Sequence, residues 1–177
     1  MNETHNNSGI NIDSIDWKVW TPDEKSVIVF IIDKKQNRTL LIHKKTGLGA
    51  GKINAPGGRI EKGETAAQAA VRECREEVSM TPLGLQKRAE LYFHFTTGYR
   101  LYCEAFISNA WEGEPANSYE AEPFWCGLGD IPWEKMWEDD RDWLPSAIDG
   151  KKVKGYFIFN DDDMIAEKLE EVKNFES

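Results

Sequence analysis

The sequence has few cysteines, and their spacing provides no obvious cross-link. Cys74, Cys103 and Cys126 are the only three among 177 residues, and no Cys-x-x-Cys pair occurs. An odd number of widely spaced cysteines argues against a disulfide framework and against structural zinc, and it favours reduced thiols in a cytosol. No apolar run reaches the length of a membrane span, and the first residues are polar. We therefore expect a cytoplasmic protein with no membrane partner.

Positive charge is also scarce. The chain has 22 Lys and Arg against 31 Asp and Glu, which gives a formal net charge of −9. Binding to a nucleic-acid polymer needs a basic surface that displaces counterions, so we expect no such partner. The length and the 40% hydrophobic content suit one core. We expect a loosely ordered tail over residues 1–24, a single domain over 25–177, and a monomer, with a dimer as the alternative.

Hydrophobic periodicity predicts an α+β domain in which helices pack against a mixed sheet. The polar turns and β-branched runs predict two hairpins, followed by a short strand, a helix and a final strand. The predicted strands cover residues 26–32, 38–43, 85–95, 99–108, 123–128 and 153–159, and the predicted second helix covers 139–148. Residues 164–172 have apolar side chains at helical spacing, yet the segment also fits a strand, and both assignments stay open.

A first helix is predicted to begin near Thr65, because Thr65 and Gln68 have the spacing of a capping box. A helix turns by about 100° per residue, so Glu76 and Glu77 lie roughly 60° and 40° to either side of Glu73. Small and apolar residues occupy a separate stripe. The helix therefore has one face that packs and one face that carries three carboxylates.

Carboxylate oxygens are the ligands that Mg²⁺ prefers, with Mn²⁺ as an alternative, and Mg²⁺ is often shared with substrate phosphates. The acidic face therefore predicts a divalent-metal site for a polyphosphate. The competing interpretation is a solvated acidic face, which is common in acidic proteins.

The pattern Gly58-x5-Glu64-x7-Arg72-Glu73-x2-Glu76-Glu77 resembles the Nudix box, the signature of hydrolases that cleave nucleoside diphosphates linked to another group. The resemblance implies a Nudix fold, a mixed sheet sandwiched between helices. It also implies a loop-to-helix pair of Glu64 and Arg72 and catalysis by the box residues. The implied metal ligands are Glu73, Glu76, Glu77 and Gly57, and both Gly57 and Gly58 would lie beside the substrate.

Ser79 departs from the family pattern, which usually has glycine there. Glycine takes the left-handed conformation at a helix end more readily than serine. We therefore expect that the end of the helix can differ from the family pattern, and that no metal ligand is lost.

Asp139 and Asp140 are adjacent, and Trp137 precedes them. Two carboxyl groups at the wall of an apolar pocket would share a proton, so the pair would offer a purine edge one donor and one acceptor. Trp137 offers a stacking face. The alternative is that the two aspartates only open a helix, where acidic side chains favour the positive end of the dipole.

From about residue 27 to 172, the chain resembles the branch of the Nudix family that hydrolyses oxidised purine nucleoside triphosphates, such as 8-oxo-dGTP and 2-oxo-dATP, to monophosphate and pyrophosphate. This reaction cleanses the nucleotide pool. The resemblance rests on the glycine loop 44–51, Asn54, the box, residues 136–140 and residues 154–157. It implies base contacts by Asn54, Asp139 and Asp140, stacking by Trp137, a pocket wall at Phe93, a nucleotide contact by Lys44, and a further metal ligand at Glu120.

The resemblance is incomplete in the glycine loop, where Leu48 replaces a phenylalanine of that branch. We therefore expect weaker stacking on the loop side. The loop fails the Walker A pattern, because Ile53 follows Lys52, and Lys44, Lys45 and Lys52 are available to phosphate.

Several alternatives stay open at this point. A Nudix hydrolase of ADP-ribose or of a dinucleoside polyphosphate would keep the box without needing the aspartate pair. A non-catalytic nucleotide-binding regulator would bind without releasing pyrophosphate. For a hydrolase, the acceptor of the water proton is Glu76, Glu77 or Glu120, and the sequence leaves that choice open.

Overall fold

The structure is a computed structural model and describes residues 10–176. It contains eleven strands and two α-helices. The strands are β1 (Glu24–Asp33), β2 (Arg38–Lys44), β3 (Ile53–Asn54), β4 (Gly57–Arg59), β5 (Thr81–Leu83), β6 (Gln86–Phe95), β7 (Arg100–Ser108), β8 (Ala110–Glu112), β9 (Ala121–Gly127), β10 (Lys152–Asn160) and β11 (Asp163–Val172), and the helices are α1 (Ala66–Val78) and α2 (Asp140–Ile148).

Nine of these strands form one mixed sheet. Its main order is β11-β10-β6-β7-β1-β2-β3, with β4 paired to β1 and β9 paired to β2. The pairs β1–β7 and β6–β10 are parallel, and the other pairs are antiparallel. Strands β5 and β8 form a separate small ribbon. The predicted mixed sheet is confirmed.

Strand β1 lies at the centre and is buried on both faces. Val27, Val29 and Ile31 belong to the cluster that contains the buried face of α1. Phe30 and Ile32 belong to the opposite cluster, which contains α2. Because successive side chains of a strand point to opposite faces, one β-branched run supplies both cores. The sheet therefore lies between the two helices, as expected.

The segment that the sequence left open is strand β11, which pairs with β10 along its whole length. Its side chains are exposed or half-buried, and Leu169 is among the exposed apolar residues. An edge strand with no fully buried side chain has no apolar face to impose alternation. The helical spacing of its apolar residues therefore did not predict its secondary structure, which is a strand.

The segment before β1 differs from the loosely ordered tail predicted for residues 1–24. Within its described part, Trp17 packs against Tyr156 with ring centroids 5.2 Å apart, and Trp20 packs against Tyr92 at 5.6 Å. The Trp20 indole N–H also donates a hydrogen bond to His94 Nδ1 at 3.2 Å. Aromatic packing on the sheet orders a segment whose polar composition suggested otherwise. Residues 1–9 lie outside the described part of the chain.

Two further findings concern residues 10–176. None of the helices there has the length and apolar character that crossing a membrane requires. Cys74, Cys103 and Cys126 are buried free thiols.

Candidate active site

A cavity of about 620 Å³ opens between the box helix and the start of α2. Its walls come from β1, β2, β3, β4, β6, β7, α1, α2 and their loops. Fourteen of the site residues predicted from the sequence line it: Lys44, Leu48, Asn54, Gly57, Gly58, Arg72, Glu73, Glu76, Glu77, Phe93, Glu120, Trp137, Asp139 and Asp140. Glu64, also predicted, does not line it and binds Arg72 instead. The cavity has a carboxylate-rich end at α1 and an aromatic end at α2.

Three carboxylates converge at the α1 end. Glu73 and Glu77 are one helical turn apart, with 8% and 5% of their surface exposed, and Glu120 reaches them from the loop before β9. One oxygen from each of the three lies within 4.8 Å of the others. Three hard oxygen donors at this separation fit a divalent cation such as Mg²⁺ or Mn²⁺. We call these three residues the acidic triad.

The glycine pair of β4 lets the sheet approach this helix. The Gly57 N–H donates to Glu77 Oε2 at 3.3 Å. A Cβ atom on Gly57 would lie 2.1 Å from the Val27 carbonyl oxygen, and one on Gly58 would lie 2.5 Å from the Glu73 carboxylate. No side chain fits at either position without a shift of backbone or of the acidic triad.

Arg72 organises the edge of the acidic end. Its Nε and Nη2 groups donate to the two carboxylate oxygens of Glu64, and Nη1 donates to Glu73 Oε1 at 2.8 Å. A remaining Nη2 hydrogen goes to the Arg59 carbonyl at 3.0 Å. Hydrogen bonding to Arg72 lowers the pKa of the Glu64 carboxyl. The guanidinium is thus committed to orienting carboxylates and the β4 backbone.

Glu76 lies at the margin of this end. Its carboxylate lies 3.3 Å from Arg72 Nη1, and its side chain is largely exposed. It lines the cavity but is not one of the three residues whose oxygens converge. Its role as a metal ligand stays a prediction.

Burial dominates the electrostatics of the two helical carboxylates, Glu73 and Glu77. It raises the pKa of Glu77 to about 8 and also raises that of Glu73, with the mutual repulsion of the carboxylates adding to the shift. Desolvation disfavours the charged form, and a bound cation would favour it. The site is therefore suited to a cation that compensates this negative charge.

At the aromatic end, Asp139 and Asp140 are 1% and 4% exposed. The Trp143 indole N–H donates to Asp139 Oδ2 at 3.0 Å, while Asp139 Oδ1 and Asp140 Oδ2 have no hydrogen-bond partner among residues 10–176. Asp139 is the N-cap of α2 but makes no side-chain cap bond. Burial raises the pKa of both carboxyls, and in Asp140 the charge of Asp139 adds to the effect. Helix capping therefore does not explain why these two carboxyl groups are buried, whereas a polar ligand that binds them would.

Aromatic side chains surround the pair. Trp137 meets Phe159 edge-on with centroids 5.4 Å apart, and Phe93 stacks on Phe157 at 5.2 Å. A Cβ atom on Gly49 would lie 2.8 Å from Trp137 Nε1, so the glycine loop packs closely on the indole. Leu48 lines the mouth and is 47% exposed. This end offers flat apolar walls around two carboxyl groups.

The lysines of the glycine loop separate into two kinds. Lys44 lines the cavity. Lys45 Nζ donates to the Ser118 carbonyl at 2.8 Å, and Lys52 Nζ lies 3.4 Å from Asp162 and 5.0 Å from the centre of the Trp137 ring. Of the three lysines considered for phosphate, the structure places Lys44 on the cavity wall.

Sequence reasoning missed two contributors. Trp143, the donor to Asp139, lies four residues further along a predicted helix, so helical spacing was a usable signal. The pair formed by the Tyr99 hydroxyl and Glu24 Oε2, 2.6 Å apart, also borders the cavity. Tyr99 and Glu24 come together only through sheet pairing, and no local sequence pattern predicts their contact.

At the helix exit, Ser79 adopts the left-handed conformation with φ of 62°. Its N–H donates to the Arg75 carbonyl at 3.2 Å, and the Met80 N–H donates to the Cys74 carbonyl at 3.4 Å. The exit thus has the bonding of a glycine-type C-cap without the glycine.

Comparisons with known proteins agree with this geometry. The chain is 39% identical over 150 residues to the oxidized purine nucleoside triphosphate hydrolase of Danio rerio, which covers 84% of this chain and 96% of the relative. It is 37% identical over 140 residues to the Mus musculus protein of the same name, covering 78% and 90%.

Solved structures support the fold. The MutT protein of Bacillus halodurans superposes with a TM-score of 0.73 at 21% identity, covering 82% of this chain and 97% of that one. The family profile of the NUDIX domain matches residues 22–147, which include the box, the acidic triad and the aspartate pair. The chain belongs to the Nudix family.

Proposed function

We propose that this protein hydrolyses oxidised purine nucleoside triphosphates of the 8-oxo-dGTP and 2-oxo-dATP type to nucleoside monophosphate and pyrophosphate, and so cleanses the nucleotide pool. Two relatives that carry the name oxidized purine nucleoside triphosphate hydrolase and align along most of both chains support this substrate class. Action on free nucleotides as a monomer in the cytoplasm, without a nucleic-acid polymer, stays a prediction from the sequence.

One observation carries the proposal: a single cavity joins a carboxylate triad to a buried aspartate pair. A triphosphate needs the first end, and a purine needs the second. Of the alternatives, an ADP-ribose or dinucleoside polyphosphate hydrolase would not need the Asp139 and Asp140 oxygens that lack a partner in the described part of the chain. A regulator without catalysis would not need the complete box.

Glu73, Glu77 and Glu120 would hold Mg²⁺, or Mn²⁺ in its place, with Glu76 beside them and the Gly57 backbone adjoining. When bound, the cation would neutralise charge on the phosphate oxygens and lower the pKa of the attacking water. Arg72 and Glu64 hold the helix face in position. Lys44, on the cavity wall, would contact the phosphates.

The reaction consumes one water molecule. Its oxygen bonds to a phosphorus of the bridge between the α- and β-phosphates, the bridging P–O bond breaks, and the electron pair leaves with the departing phosphate oxygen. We assign the water proton to Glu76, because this carboxylate lines the cavity outside the convergent triad.

The base would lie between Trp137 and Phe93, with its polar edge toward Asn54, Asp139 and Asp140. The Trp143 N–H keeps Asp139 Oδ2 as an acceptor, which leaves Asp139 Oδ1 and Asp140 Oδ2 for the base. One shared proton on the pair would make one of these a donor. Leaving such groups unpaired is costly, so bases that cannot match them would bind weakly.

A side-by-side assay of 8-oxo-dGTP, 2-oxo-dATP, dGTP, ADP-ribose and a dinucleoside polyphosphate tests the proposal. We expect kcat/KM for one of the oxidised purines to exceed that for dGTP by about tenfold or more, with pyrophosphate as product. Preferential hydrolysis of ADP-ribose or of the dinucleoside polyphosphate would replace it with another Nudix activity. Binding without any release of pyrophosphate would favour the regulator.

A further inference from the structure

Glu120 differs from the other two residues of the acidic triad because it is not part of α1. It belongs to the loop of residues 113–120 between β8 and β9. Its carboxylate nevertheless lies within 4.8 Å of oxygens of Glu73 and Glu77. A loop residue reaches such a position reproducibly only when the loop is anchored on both sides.

One anchor is the end of α1. The Ala116 N–H donates to the Val78 carbonyl at 3.0 Å. A Cβ atom on Gly113 would lie 2.7 Å from the Ser79 carbonyl oxygen, so the loop passes directly over the helix exit. This contact fixes the first half of the loop relative to Glu73 and Glu77.

The other anchor is Lys45, which follows β2. Its backbone N–H donates to the Glu120 carbonyl at 2.9 Å, and its Nζ donates to the Ser118 carbonyl at 2.8 Å. The Ser118 hydroxyl oxygen in turn accepts the N–H groups of Glu120 and Ala121 at 3.3 and 3.1 Å. Lys45 therefore binds both ends of the short turn that presents Glu120.

We propose that Lys45 is a positioning residue for Glu120, and that its side chain keeps the third carboxylate within reach of the cation. This inference rests on the proposed function, because it takes the acidic triad as the metal site. It separates Lys45 from its neighbour: Lys44 lines the cavity, whereas Lys45 acts through the Glu120 loop and is not a phosphate contact.

A general electrostatic role for Lys45 would have the opposite sign. A positive charge close to an acidic triad repels a cation, so removing that charge alone would tighten metal binding. Loss of a positioning contact would weaken it. The direction of the change therefore distinguishes the two roles.

The experiment measures Mn²⁺ binding to the nucleotide-free, full-length chain by isothermal titration calorimetry at fixed pH and salt. Loss of one hydrogen bond that organises a ligand predicts Mn²⁺ binding about fivefold weaker in Lys45→Met. Lys45→Arg keeps a donor and should stay within about twofold of the unaltered protein. Lys35→Met, an exposed lysine in the β1–β2 turn, is the matched control and should show no change.

Ser118→Ala provides a second variant that leaves every charge in place. It removes the hydroxyl acceptor of the Glu120 N–H, so Mn²⁺ binding should weaken about threefold. In turnover assays of Lys45→Met, the Mn²⁺ half-saturation should rise by the same factor as the dissociation constant. The nucleotide KM at saturating Mn²⁺ should change less than twofold.

Glu120→Gln separates the failure of the inference from that of the proposed function. If Glu120→Gln weakens Mn²⁺ binding while Lys45→Met and Ser118→Ala leave it unchanged or tighter, the positioning role is wrong and the metal site stands. If Glu120→Gln itself leaves Mn²⁺ binding unchanged, both the metal site and the role of Lys45 are overturned.

Discussion

The two ends of the cavity both collect buried carboxylates, but they compensate the negative charge differently. At the α1 end, Glu73 accepts a hydrogen bond from Arg72, Glu77 accepts one from a backbone N–H, and three carboxylates converge. At the α2 end, the aspartate pair has one indole donor and two oxygens that find no partner within residues 10–176. The first end is arranged for a cation and the second for protons and a polar ligand. Acidic residues alone do not define a metal site; their convergence and partners do.

The largest effect should come from Glu77→Gln. This change removes one ligand from the acidic triad, together with the negative charge that Glu77 would carry beside a bound cation. Even outer-shell partners of a metal typically contribute roughly 10–100-fold to affinity or activity. We expect turnover of 8-oxo-dGTP to fall by at least about 100-fold and Mn²⁺ binding to weaken, with the domain still folded by circular dichroism. Glu76→Gln should lose turnover to a similar degree while retaining most of its Mn²⁺ affinity. Near-normal rates in both variants would remove the metal-face mechanism.

Asp140→Asn tests the other end and should have a smaller effect. A hydrogen bond to a charged or proton-sharing group contributes roughly 1.5–3 kcal/mol, which predicts a loss of about 10–100-fold in kcat/KM. The loss should differ between 8-oxo-dGTP and 2-oxo-dATP, because an amide fixes which atom donates. Mn²⁺ binding measured by calorimetry should be unchanged. A loss of Mn²⁺ affinity would show that the two ends are not separate.

The pH dependence of folding stability sharpens the same contrast. Burial holds the pKa values of Asp139 and Asp140 above the ordinary aspartate value of 3.8. Acids with raised pKa contribute most stability below the unfolded-state pKa, and they lose it as pH rises through the folded-state values. The free energy of unfolding should therefore contain a contribution that declines from about pH 4 to pH 7 and above.

Urea unfolding across this pH range measures that contribution. The decline should be smaller in Asp140→Asn than in the unaltered chain, because the amide does not ionise. Asp149→Asn is a control at the end of the same helix, where the carboxyl is exposed, and it should change the decline less. An identical pH dependence in all three proteins would mean that the pair carries no unusual charge cost.

Much of the α1 end could be predicted from sequence because it is local. Glu73 and Glu77 are one turn apart, and Thr65 makes the predicted capping box with Gln68. The adjacency of Asp139 and Asp140 is local as well. The contact of Asp139 with Trp143 is local too, because it spans one helical turn. The burial of the two aspartates depends on the packing of α2 against β6 and β10, which spacing alone does not reveal.

Other features could not be predicted from local patterns. Glu120 was suggested by resemblance alone, because it joins the triad through loop anchors far away in sequence. The polar composition of the segment before β1 gave no sign that Trp17 and Trp20 pack on the sheet. The apolar spacing in β11 did not show that it is an edge strand. In each case tertiary contacts, and not local composition, determine the structure of the segment.

The smallest expected effect lies at the exit of α1. Ser79 has a left-handed conformation, which costs an ordinary residue roughly 1–2 kcal/mol, part of which glycine loses again in entropy. Ser79→Gly should raise the free energy of unfolding by about 0.5–1 kcal/mol, measured by urea midpoint at constant m-value. Asp149→Gly is the control, because Asp149 ends α2 with φ of −71° and glycine brings no relief there. A stabilised Ser79→Gly protein with unchanged Mn²⁺ affinity and selectivity would show that neither end depends on this strain.

A crystal structure with Mn²⁺ and the monophosphate product of an oxidised purine tests the division of the cavity most directly. Anomalous scattering should place Mn²⁺ among the carboxylates of Glu73, Glu77 and Glu120, with the base between Trp137 and Phe93 and its edge on Asp139 and Asp140. Manganese bound elsewhere, with those glutamates facing bulk water, or a base lying outside the aspartate pair, would contradict it.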